Sequence, residues 1–228
     1  MSKVYIISAP SGSGKSTLVD ELRRSVPNLH FSVSYTTRSP RGSERDGCEY
    51  FFVSVDTFEE MIRRDEFLEH ANVFGNYYGT AKRFLDEAKA AGHDLLLDID
   101  VQGAAQVKQK IRDAVSIFIL PPDKPTLEQR LRRRSLDSDE VIQRRLVGAA
   151  KEIENYSKYD YILINDRLEQ SIDELRAIVL AERLPRSRAD ISPKEAEIVA
   201  KASRSLLPNI RERLQPILAS FALSATHR

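Results

Sequence analysis

The stretch Ser8-Ala9-Pro10-Ser11-Gly12-Ser13-Gly14-Lys15-Ser16-Thr17 constrains this chain more than any other. It follows an apolar run, Val4 to Ile7, and precedes a helical pattern of Leu18, Val19, Leu22 and Val26. The order strand, small-residue loop, Lys-Ser, helix is that of a P-loop, G-x-x-x-x-G-K-[ST], with Ala9 at the first glycine. Small residues let successive backbone N–H groups curl around a phosphate chain, and the helix N-terminus directs its positive end at the same anion. In that arrangement Ala9, Pro10, Ser11, Gly12, Ser13, Gly14, Lys15, Ser16 and Thr17 cradle the phosphates of a nucleoside triphosphate. Lys15 reaches the β- and γ-phosphates, and the Ser16 hydroxyl holds Mg²⁺.

The rest of the chain reads as a parallel α/β core built around that loop. A helix runs to about Ser25 and stops before Pro27, and Leu29 to Val33 reads as a second strand. Residues 34–47 are polar and turn-rich, with no core strand or helix written there. Tyr50 to Val55 reads as a strand, with Asp56 and Glu59 as a capping pair for a helix through Arg64. The aromatic, glycine-containing segment 66–80 follows. A helix over 81–91 has Gly92 as its C′ residue. Asp94 to Val101, containing Leu95-Leu96-Leu97-Asp98-Ile99-Asp100, has the form of a buried parallel strand that delivers carboxylates to its C-terminal edge. It serves as the Walker B counterpart, with Asp98 on the metal side.

Beyond it come a helix over 103–112, a strand from Ser116 to Leu120, and two charged helices over 125–134 and 139–156. Ser135-Leu136-Asp137-Ser138 forms a hinge and N-cap region between those two. A last strand, Tyr159 to Asn165, precedes a closing helix from Leu168 to Leu184. This alternation predicts a P-loop NTPase-type doubly wound parallel sheet of about five strands. Residues 1–33, 82–124 and 157–185 make the core, 34–81 an inserted module, and 125–156 a pair of charged helical segments.

Composition limits the partners. With 35 basic against 34 acidic side chains the net charge is +1, which argues against general nucleic-acid or membrane-surface binding. No apolar stretch has the length of a membrane span. Cys48 is the single cysteine, and His30, His70, His93 and His227 lack metal-ligand spacing. A soluble cytoplasmic protein is the expectation.

Four separated motifs then carry a resemblance. They are Ala9 to Ser16, Ser34-Tyr35-Thr36-Thr37-Arg38-Ser39-Pro40-Arg41, Gly75-Asn76-Tyr77-Tyr78-Gly79, and Asp98-Ile99-Asp100-Val101-Gln102-Gly103. In this order they resemble the guanylate kinases, over residues 3–184. The resemblance implies transfer of a phosphoryl group from ATP, held by Ala9 to Thr17, to GMP, with Mg²⁺ as cofactor, 34–81 as the monophosphate-binding module and 125–156 as a helical lid. It places Arg38, Arg41, Tyr50 and Tyr78 at the GMP phosphate, and Ser34, Glu69, Thr80 and Asp100 around the base. The chemistry agrees, since guanidinium forks and phenols donate to a phosphate dianion. Two carboxylates answer the adjacent N1–H and N2–H₂ donors of guanine, a donor pair that adenine lacks.

Six arginines lie within Arg130 to Arg145. By the resemblance Arg130, Arg134 and Arg145 serve the donor phosphates and the lid, while Arg132 and Arg133 read as a solvated face. Lys15, Arg38, Arg134 and Arg145 are the catalytic set, and Asn165, with Asp166 next to it, stands near the donor adenine. The chain departs from the family at Gly42-Ser43, where Pro-Gly is common, and at Ser135, where glycine is usual.

Two rival readings are a non-catalytic guanylate-kinase-like module that binds phosphorylated partners and a P-loop kinase for another phosphorylated small molecule. The retained Gly14-Lys15-Ser16 argues against the first, and Glu69 with Asp100 against the second.

Residues 186–228 lie beyond the resemblance. Ser192-Pro193 with Glu195 opens a helix to about Leu206. Leu207, Ile210, Leu214, Ile217, Leu218 and Phe221 write one apolar stripe on a second helix, broken or kinked near Pro216. The stripe is expected to dock on the core or on a second copy in a homo-oligomer, apart from the chemistry.

Overall fold

The computed structural model describes residues 2–73, 75–134, 138–185 and 191–222, without the side chain of Arg134. The expected hinge at 135–137, the catalytic side chain of Arg134 and the boundary at 186–190 therefore lie outside the described residues.

Five strands form one parallel sheet in the order β2-β7-β1-β8-β9: β1 Val4–Ser8, β2 Leu29–Ser32, β7 Asp94–Asp98, β8 Val115–Leu120 and β9 Tyr161–Ile164. Every residue of β1 and β8 is buried, as strands covered on both faces require. The chain divides into two compact units, Met1–Ile6 with Pro27–Val115, and Ile7–Val26 with Ser116–Arg228.

The first unit carries a second, four-stranded sheet in the order β4-β3-β6-β5: β3 Tyr35–Thr36, β4 Phe51–Phe52, β5 Phe67–Val73 and β6 Asn76–Ala81. The expectation of no strand in 34–47 is corrected at β3, whose two residues pair with Gly79 and Tyr78 of β6. That partner is distant in sequence, so local pattern could not reveal the strand. α2, Val55–Arg63, is capped by Ser54, whose hydroxyl accepts from the Thr57 N–H at 3.1 Å. Ser54, rather than Asp56, is thus the cap.

α3, Arg83–Ala90, ends before Gly92, whose φ of 66° supplies the left-handed C′ residue. β7 stops at Asp98 rather than running to Val101, because the Asp100 side chain caps α4, Val101–Lys110, accepting from the Gln102 and Gly103 N–H groups at 2.6 and 3.1 Å. The core of this unit is built on Phe58, Phe67, Leu95, Leu96, Leu97 and Val107.

The second unit holds α1 Lys15–Ser25, α5 Lys124–Arg134, α6 Asp139–Ile153, α7 Leu168–Arg183, α8 Pro193–Ser203 and α9 Leu207–Ala222. α8 opens with a capping box between Ser192 and Glu195 and packs on α7. The tail also covers the edge of the sheet. The Ile162 N–H donates to the Ser205 carbonyl at 2.7 Å, and the Leu207 N–H to the Asp160 carbonyl at 3.0 Å, closing off β9.

α9 continues through Pro216 without interruption, which corrects the expected break. Its buried stripe of Ile210, Leu214, Ile217 and Phe221 holds the helix against α5, α6 and β9. Ser220 Oγ accepts from the Lys124 N–H at 3.2 Å, at the start of α5. The tail thus docks on the core, one of the two places expected for it, and does so against the arginine-bearing helices α5 and α6.

Candidate active site

In the second unit the loop after β1 turns on a hydrogen bond from the Ser13 N–H to the Pro10 carbonyl, 3.1 Å. Gly12 and Gly14 adopt φ values of 89° and 88°, where a side chain would be strained. Space demands glycine as well. A Cβ on Gly12 would come within 2.8 Å of Leu131 of α5, and one on Gly14 would collide with the Asn165 amide. α1 begins at Lys15 with no side-chain cap and no acid in its first turn, which leaves its positive end to an anion.

Asn165, at the end of β9, is tied to this loop. Its Nδ2 donates to the Ser13 carbonyl at 2.7 Å, its N–H donates to the Leu120 carbonyl, and its own carbonyl accepts from Arg130 Nη2 at 2.9 Å. Its amide is thus engaged with the loop rather than directed only at a base. Beside it lies a cavity of ≈ 310 Å³ lined by Gly12, Gly14, Thr17, Arg130, Arg133, Asn165, Asp166 and Leu168.

Arg132 pairs with Glu128 and Asp139, at 2.8 and 2.5 Å, as expected of a solvated face. Arg133 is exposed, as expected of a solvated face, and also lines the cavity. Asp166 lines the cavity beside Asn165, the pair expected near the donor adenine, whereas Leu168 carries no sequence signal for this place. Arg145 sits on α6, outside this lining.

In the first unit the small sheet gathers the candidate acceptor residues. β5 and β6 pair Glu69 with Thr80, with an irregularity between Phe67 and Glu69. Glu69 is 3% exposed and Thr80 fully buried. α4 clamps β5 on both sides of Glu69: Lys110 Nζ donates to the Leu68 carbonyl at 2.5 Å, and Gln106 Nε2 to the His70 carbonyl at 2.7 Å. Gly103 leaves just enough room, since a Cβ there would collide with the Glu69 carboxylate. Burial, reinforced by the nearby Asp100 charge, pushes the Glu69 carboxyl up to about 7, while Thr80 and Lys110 pull the other way.

Arg38 is 9% exposed and lies over the rings of Tyr50 and Phe52, 5.2 and 5.8 Å from their centroids. Tyr50 and Tyr78 meet edge to face at 5.9 Å. Ser34, 8% exposed, accepts at its carbonyl from the Phe51 N–H at 2.9 Å. The turn after Arg41 runs through Gly42 at a φ of 53°, so glycine stands where the backbone is left-handed. Ser16 lies in the first turn of α1, and Asp98 ends β7, half-buried.

A parallel sheet with a glycine-forced loop between its first strand and first helix defines a P-loop nucleotide-binding protein of the α/β class. The guanylate kinase family model matches residues 1–182. A guanylate kinase of Koribacter versatilis is 60% identical over 221 residues, covering 96% of this chain and 95% of its own. One of Escherichia coli K12 is 51% identical over 187 residues, 81% of this chain and 90% of its own. A crystal structure of guanylate kinase from Anaplasma phagocytophilum superposes with a TM-score of 0.68 at 34% identity, over 82% of this chain and 89% of that one. The chain belongs to the guanylate kinase family.

Proposed function

We propose that the protein transfers the γ-phosphoryl group of ATP to GMP, giving ADP and GDP, with each substrate held by one of the two residue groups described above. The observation that carries the acceptor assignment is the buried carboxylate of Glu69, set on β5 with Asp100 close by. A carboxylate is held in so apolar a place at a cost, and guanine offers the paired donors that offset it. Asp100 caps α4 through Oδ1, which fixes its orientation and leaves its second oxygen to accept from the base. Ser34 and Thr80 complete the base site; Arg38, Arg41, Tyr50 and Tyr78 bind the phosphate.

On the donor side the loop from Ala9 to Thr17 wraps the phosphates, and the cavity beside Asn165 takes the adenosine. Lys15, Arg130, Arg134 and Arg145 neutralise charge on the transferred group, with 125–156 closing as a lid. Phosphoryl transfer needs little from the protein beyond such positioning, because the attacking GMP oxygen is already ionised. The hydroxyl of Ser16 and the carboxylate of Asp98 are hard oxygen donors of the kind Mg²⁺ takes while keeping phosphate and water ligands. Mg²⁺ bound there would neutralise phosphate charge. No helix among the described residues is long and apolar enough to cross a membrane. The exposed lone thiol of Cys48 and the ATP requirement favour a cytoplasmic setting, without nucleic acid as a partner.

Lys15→Ala tests the donor assignment. Turnover should fall by at least about two orders of magnitude with the melting temperature nearly unchanged. Normal turnover in that variant would remove the P-loop lysine from the mechanism.

A further inference from the structure

We propose that Glu44 is a positioning residue for the acceptor phosphate: it locks one edge of the Arg38 guanidinium and folds the turn that carries Arg41, so that both cations are presented to GMP already oriented. The proposal rests on the reading of Arg38 and Arg41 as phosphate ligands.

Glu44 Oε1 accepts from Arg38 Nη2 at 3.0 Å, and Oε2 accepts from Arg38 Nη1 at 2.9 Å and from the Arg41 N–H at 2.7 Å. One carboxylate thus engages both arginines of the motif. The Glu44 N–H donates back to the Arg41 carbonyl at 3.0 Å, closing the turn through Gly42. Arg38 Nη1 gives its other hydrogen to the Ser39 carbonyl at 2.7 Å. These bonds use three of the five guanidinium donors, all at or beyond the Nη1–Nη2 end. They turn the Nε–Nη2 edge, which matches an oxyanion in the same bidentate way, toward other acceptors.

A buried guanidinium without such a partner would carry a large desolvation cost and would adopt several rotamers. With Glu44 the trio bears a net +1, enough to attract a phosphate dianion without neutralising it. The pair is mutually reinforcing. Hydrogen bonding to Arg38 holds the Glu44 carboxyl below its usual range, and the Arg38 guanidinium is raised above its own.

The test compares equilibrium binding of GMP and of guanosine, which lacks the phosphate, to wild type and to Glu44→Gln. Glu44→Asp serves as a second, milder variant, and melting temperatures report folding. Glu44→Gln should raise the Kd for GMP roughly tenfold and leave that for guanosine unchanged, with Glu44→Asp between. In the Arg38→Ala background Glu44→Gln should weaken GMP binding by less than it does in wild type, the remaining loss coming from its hold on the Arg41 turn. Equal weakening of GMP and guanosine would overturn the proposal in favour of a merely structural residue. Unchanged or tighter GMP binding would also overturn it, the latter marking Glu44 as a competitor of the phosphate. Arg38→Ala with unaltered GMP affinity would defeat the phosphate-ligand reading itself, whereas a weak Arg38→Ala beside an unaffected Glu44→Gln would defeat only the role of Glu44.

Discussion

The side-chain amide of Asn165 donates to the main-chain carbonyl of Ser13 at 2.7 Å, joining positions 152 residues apart and fixing the tip of the phosphate loop to the end of β9. Asn165→Ala removes this buried hydrogen bond to the loop and should raise the KM for ATP about tenfold, leaving the KM for GMP within twofold. Asn165→Asp sets a carboxylate against the carbonyl and should do more harm. The loss should be equal with GTP as donor, because the loop rather than the base is affected. Steady-state kinetics with both donors decide this, and a loss confined to ATP would assign Asn165 to adenine.

Gly103 makes room for the Glu69 carboxylate, so Gly103→Ala must push that carboxylate or the first turn of α4 aside. The KM for GMP should rise at least about tenfold and the KM for ATP should hold. Unaltered GMP kinetics in a folded Gly103→Ala protein would show that the base site tolerates displacement of Glu69.

The Glu69 carboxyl, raised to about 7 by burial first and by Asp100 second, links pH to both binding and stability. A group whose folded pKa lies above its unfolded value of 4.5 binds its proton more tightly in the folded state. Its contribution to stability is therefore complete below 4.5 and is lost as pH rises through 7. Glu69→Gln, which cannot ionise, should raise the melting temperature of the ligand-free protein at pH 8 by about 2 °C or more relative to wild type, and by less at pH 5. The same variant should bind GMP at least about tenfold more weakly at pH 8. Wild type should lose GMP affinity by up to about tenfold between pH 8 and 6 beyond any change seen in Glu69→Gln. Parallel pH profiles for the two proteins would contradict the assignment.

Removal of the chain after Pro185 strips four buried apolar side chains of α9 from α5, α6 and β9, and opens the β9 edge. At roughly 1.5–3 kcal/mol for each side chain, the melting temperature should fall by more than about 5 °C. Since α5 carries Arg130, kcat should fall more than the KM for GMP rises. Calorimetry and kinetics on the truncated protein check this. An unchanged kcat would restore the separation of tail from chemistry that the sequence suggested.

What was legible followed from short-range chemistry. The phosphate loop could be read because glycine, lysine and serine recur between a buried strand and a helix. The α8 start could be read because Ser192 and Glu195 cap it locally. Long-range partners hid the rest. β3 exists because β4 and β6 pair with it on either side, and Asp100 ends its strand early because its side chain is drawn to the α4 backbone. Arg132 and Arg133 are indistinguishable as letters, yet one meets Glu128 and Asp139 while the other lines the cavity. Pro216 stays helical because buried Leu214 and Ile217 on either side of it hold the turn in place.

ADP formation measured against a panel of acceptors tests most directly whether the protein phosphorylates GMP in particular. With ATP and Mg²⁺ the purified protein should release ADP in proportion to GMP, with kcat/KM at least about a hundredfold above that for AMP, CMP or UMP, as paired guanine donors recognised by two carboxylates require. Equal turnover of AMP and GMP, or no ADP release with any of the four, would contradict the account.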